Sequence, residues 1–113
     1  MYSIKVPSTI EMGSHSYQVI FDSAQDDREF RGTFSDRKHK IFLSTCLHPQ
    51  QLRVTFVHEL IHLICELNDV RPPEQDINRF AEGVSELLFR NFDIDFDFST
   101  VPILERIEKD VDK

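Results

Sequence analysis

The sequence predicts an α+β fold, with a small three- to four-stranded β-sheet packed on two principal helices in a single domain of 113 residues. Three features point there. Short β-branched and aromatic runs separated by turn residues fill the first part of the chain, an apolar-rich helical stretch runs from about Gln50 to Leu67, and a second helical periodicity follows from Asp76 to Asn91.

Taken in order, "SIKVP" and "YQVIF" read as two strands of a hairpin, because "STIEMGSHS" between them carries the Gly and Ser of a turn. "KIFLST" (40–45) reads as a third strand, with Ile41 and Leu43 alternating with Phe42 and Ser44, and "FRGTF" just upstream as a further short one. The basic run "DRKHK" (36–40) reads as a polar hairpin or loop tip. Pro49 marks the start of the first helix, since its fixed φ and missing N–H suit a first turn. On a wheel of 100° per residue that helix spreads its apolar side chains over about 220° and is therefore buried on most sides. The remaining window holds Thr55, His58, Glu59, His62 and Glu66, a polar stripe without a Lys or Arg. After "NDVRPPEQ", whose prolines enforce a loop, the second helix takes Asp76 as N-cap and Ile77, Phe80, Ala81, Val84, Leu87 and Leu88 as its core stripe. "DIDFDFSTVP" reads as a strand or extended tail, and "ILERIEKDVDK" as a short helix or a disordered end.

Bulk composition excludes several function classes. A net charge of −7 disfavours a nucleic-acid binder, which needs an excess of Lys and Arg. Ten Phe and 40% hydrophobic residues can supply a core, and no apolar run is long enough for a membrane span. The start, "MYSIKVPSTI", shows no secretory signal, so a cytoplasmic location is expected, with Cys46 and Cys65 reduced.

The chemistry concentrates in "HELIH" (58–62). Residues i and i+4 of a helix lie about 40° apart around the axis and about 6 Å along it, so His58 and His62 can present their imidazoles to one ion. A catalytic zinc has three protein ligands and an open position, so a third ligand is required. Glu82, twenty residues after His62 in "NRFAEGVSELLF", is the candidate; Glu86, one turn later, can accept a hydrogen bond from the second ring nitrogen of a ligand histidine or simply pair with Arg90. Cys65 reads as a small buried residue in preference to a soft ligand, and His15, His39 and His48 fall in turns or loops.

"HELIH" followed by "EGVSE" resembles the gluzincin-type zinc metallopeptidases. The short length and element order look most like the minigluzincins and are similar also to the metallopeptidase core of the ImmA/IrrE family. The resemblance implies a minimal zincin-like domain in which the sheet packs on an active-site helix and a glutamate helix. It also implies one Zn²⁺ held by His58, His62 and Glu82, and hydrolysis of peptide bonds in a peptide or protein substrate with Glu59 as general base. "KIFLST" is similar to the edge strand along which such enzymes hold an extended substrate. Minigluzincins are latent, zymogen-like forms, so in the tail (93–113) Asp95 and Asp97 are candidate inhibitory carboxylates; the alternative for this segment is a core-packing strand with a solvated acidic edge. Two other function classes stand beside the peptidase: a catalytically inactive zincin-scaffold binding or regulatory protein, and a metal-free interaction domain in which "HELIH" is coincidental.

Overall fold

The computed structural model describes residues 1–26 and 31–104. Its strands are β1 (Tyr2–Lys5), β2 (Thr9–Met12), β3 (His15–Asp22), β4 (Gly32–Ser35), β5 (Lys40–Leu43), β6 (Ile94–Asp97) and β7 (Ile103–Leu104). The helices are α1 (Pro49–Leu67) and α2 (Glu74–Ser85), the latter continued by a π-helical segment, Glu86–Asn91. The α+β class expected from the sequence is the class found.

β3 is the centre of the main sheet because its alternation turns Tyr17 and Val19 into the core, both fully buried. It pairs antiparallel with β2, parallel with β5 and, over its last two residues, parallel with β7. β4 closes the order β2-β3-β5-β4 by pairing antiparallel with β5. The hairpin predicted between "SIKVP" and "YQVIF" is therefore shifted. β2 is the partner of β3, joined by a two-residue loop in which Gly13 takes φ +65°, while β1 lies in a separate two-stranded sheet, parallel to β6. The reason lies in the turn chemistry: Gly13 sits four residues past Thr9, and a two-residue loop there sets the register Met12 opposite His15. The basic run forms the loop between β4 and β5, as expected of a polar tip, with Ser35 opposite Lys40 and His39 at φ 55°.

α1 starts at Pro49 behind an extended His48, whose carbonyl accepts from Leu52 N–H at 2.8 Å. Phe56 and Leu63, two turns apart, enter the cluster formed with Val19, Ile41 and Leu43 of the sheet. Sequence reading placed the start of α2 at Asp76, two residues late. Pro73 holds the extended cap conformation (φ −60°, ψ 151°), so the helix begins at Glu74. The core stripe of α2 is also narrower than predicted. Ile77, Ala81 and Ser85 are buried, but Phe80, Val84 and Leu87 are 60, 37 and 52% exposed. One small row of side chains suffices because α2 packs chiefly on α1 along this face.

"DIDFDF" supplies β6, with Phe96 edge-on to both Phe56 and Phe89. The ending after Leu104, for which a short helix or a disordered end was expected, lies outside the described residues. Cys46 and Cys65 are free, and no helix among the described residues is long and apolar enough to cross a membrane.

Candidate metal centre

His58 and His62 project from the middle of α1 into a cavity of about 760 Å³ bounded by α1, α2 and β4. Their Nε2 atoms approach to 3.1 Å, as the one-turn spacing permits. The group that meets them is Glu74, with Oε2 2.8 Å from His58 Nε2 and Oε1 3.3 Å from His62 Nε2. One donor atom from each of the three lies within 4.8 Å of the others.

Glu74 reaches this position through the connection between the helices. The chain leaves α1 through Asp69 at φ 55°, with Val70 N–H bonded to Cys65 O at 2.9 Å, and Pro73 then delivers Glu74 as the first residue of α2. Sequence reasoning missed it because it left Glu74 in the loop "NDVRPPEQ" and began the second helix at Asp76. The double proline just before it was the available signal, since it fixes where the second helix turns back toward the first.

Glu82 lines the same cavity but stands eight residues further along α2, about 12 Å at helical rise, and its carboxylate is outside the close group. Glu86 lies outside this cavity and pairs with Arg90 at 3.1 Å. Asp95 bonds Arg53 at 2.9 Å, and Asp97 accepts from the backbone N–H of Ser99 at 2.9 Å. These carboxylates are engaged on β6 and its turn, not among the histidines.

Burial holds the His58 imidazole below its ordinary range and so favours the neutral form that ligates metals, while the Glu74 charge pulls the other way. Glu59 is 5% exposed, and its carboxyl is pushed up to about 8, first by desolvation and then by the Glu74 charge, with the backbone N–H of Phe34 acting the other way. β4 can lie this close to α1 because residue 32 is glycine. A Cβ there would stand 2.9 Å from Thr55 Cγ2, 3.0 Å from the Phe42 carbonyl oxygen and 3.4 Å from Glu59 Cγ.

The edge-strand expectation moves to a neighbour. β5, the "KIFLST" segment, is paired on both sides, by β3 and β4, and has no free backbone edge to offer. β4 is the outermost strand on this side of the sheet, and Arg31, Gly32, Thr33 and Phe34 line the cavity.

The donor set suits a zinc ion. Ligand atoms about 2.0–2.1 Å from a tetrahedral centre lie roughly 3.3 Å from one another. The two imidazole nitrogens, 3.1 Å apart, are close to that spacing, and each has a different Glu74 oxygen at 2.8 or 3.3 Å, so a small rotation of the carboxylate brings one oxygen to both, with the cavity leaving one side open. No curated protein and no solved structure matches the chain. A peptidase family, described as the IrrE N-terminal-like domain, matches residues 13–90, a span that takes in β3, β4, β5, both helices and the whole histidine cavity. The chain belongs to this family of metallopeptidase-like domains.

Proposed function

We propose that the protein is a zinc-dependent peptidase in which His58, His62 and Glu74 hold the ion and Glu59 is the general base. The observation that carries this reading is the convergence of two imidazoles and a carboxylate within 3.3 Å beside a carboxyl group that is almost completely buried. When bound, zinc supplies Lewis acidity toward a water and toward the peptide carbonyl. Glu59 removes the proton from the attacking water and delivers it to the leaving amine as the C–N bond breaks. Its hydrogen bond from Phe34 N–H holds the carboxyl beside β4, the strand that receives the substrate.

An extended peptide adds to the open edge of β4 and is held by main-chain hydrogen bonds, which select for extended backbone more than for side chains. The chain's substrates are therefore unfolded segments or exposed loops of proteins.

The test compares zinc-loaded wild type with Glu59→Gln on an unfolded protein substrate. Hydrolysis by wild type, with loss of about 10²–10⁴-fold in Glu59→Gln at equal zinc content, is the expected result. Equal rates in the two proteins would remove Glu59 from the mechanism.

A further inference from the structure

A second cavity, of about 700 Å³, opens between α1 and α2 and shares Val54 and Glu82 with the histidine cavity. Its chemistry is different: three arginines, Arg53, Arg79 and Arg90, contribute to its walls. Arg90 is taken up by Glu86 at 3.1 Å, whereas Arg79 is 76% exposed along its side chain and comes only within 4.0 Å of Asp76. Arg53 is fixed in place, with Nη1 bonded to Asp95 at 2.9 Å and its guanidinium 4.7 Å from the centre of the Phe89 ring.

Two residues of this cavity each carry a buried polar atom with no partner among the described residues, Arg53 Nε and Ser85 Oγ. Ser85 is 7% exposed and stands at the last α-helical residue before the π-helical segment. An arginine Nε–H can only donate, and a serine hydroxyl can donate or accept, so an acceptor is the one kind of group that can serve either atom. Arg79, loosely held at the same cavity, adds a positive charge that favours an anionic acceptor.

We propose that this cavity is a subsite for a carboxylate of the substrate, an Asp or Glu side chain on the peptide whose scissile bond lies in the histidine cavity. The inference rests on the peptidase reading. Arg53 Nε–H and Ser85 Oγ–H hold the carboxylate from inside, and the Arg79 guanidinium meets it from the mouth. Glu82, on the wall common to the two cavities, repels an acidic residue placed short of the subsite. The preference therefore belongs to one position of the peptide and not to acidic peptides in general.

A random decapeptide pool tests this in two arms. Zinc-loaded Glu59→Gln, immobilised, retains peptides for sequencing, and zinc-loaded wild type cleaves the same pool, its products being sequenced. The expected result is enrichment of Asp and Glu, on the order of tenfold, at one fixed position in both arms. Enrichment falls to background with Ser85→Ala and several-fold with Arg79→Gln, while zinc content is unchanged. Ser85→Ala removes a buried hydroxyl that has no partner, so its thermal stability is expected to equal or exceed that of the parent. Cleavage without acidic enrichment, or enrichment that survives Ser85→Ala, overturns the subsite and leaves the peptidase standing. A pool neither retained nor cleaved overturns both.

Discussion

Three acids set the behaviour of the molecule at the scale of single residues. Glu74 and Glu82 both face the histidine cavity, but only Glu74 reaches the imidazoles, at 2.8 and 3.3 Å. Glu74→Ala is therefore expected to lower zinc affinity by a hundredfold or more, and Glu82→Ala to leave it within a few fold, as titration with a competing chelator would read. Asp26 is not among the residues that line the cavity. It accepts from Ser44 Oγ at 2.6 Å, from Thr45 N–H at 2.8 Å and from the Thr45 hydroxyl, and these bonds hold its carboxyl below the usual range. A carboxyl lowered in the native state adds stability that is complete above its unfolded pKa, about 3.9, and is lost as pH falls through the lower native value. Asp26→Asn is expected to flatten the acid limb of a melting-temperature profile below about pH 4. The approach of His58 to His62 was legible in the sequence because i,i+4 contacts are a local property of a helix. The place of Glu74 was not, because it depends on the path of six residues between the helices.

Among the elements, β4 and its glycine connect sheet to chemistry. Gly32→Ala forces a methyl to within 2.9 Å of Thr55 Cγ2 and 3.0 Å of a backbone oxygen, and the backbone contact cannot be relieved by a rotamer change. The expected cost is about 1–3 kcal/mol in denaturant unfolding, with a loss of hydrolysis larger than the loss of folded protein, because β4 must leave Glu59. A variant as stable and active as wild type would show that the close approach is not needed. The start of α1 was legible from Pro49 and the strands β3 and β5 from their periodicity, whereas the start of α2 was read two residues late. Strand order was not: that β5 lies inside and β4 outside follows from pairing across the sheet, which no local pattern specifies. The alternation of "DIDFDF" was readable as a strand, yet its parallel partner, β1, is at the other end of the chain.

For the whole molecule, the α+β class was legible because runs of strands precede the helices in the sequence. The composition of the core was only partly legible. Phe80, Val84 and Leu87 recur at helical spacing, but this apolar row faces outward while Ile77, Ala81 and Ser85 pack on α1. Sheet, α1 and α2 share one cavity, and its proposed ion joins the middle of α1 to the first turn of α2. Chelation is accordingly expected to lower the melting temperature by several degrees, and resupplied zinc to restore it. The most direct test of the central claim is elemental analysis of zinc-loaded wild type, His62→Ala, Glu74→Ala and Glu82→Ala after gel filtration. About one zinc per chain in wild type and Glu82→Ala, with little in His62→Ala and Glu74→Ala, is the expected result. A wild type that carries no zinc, or a His62→Ala protein that keeps it, would contradict the account.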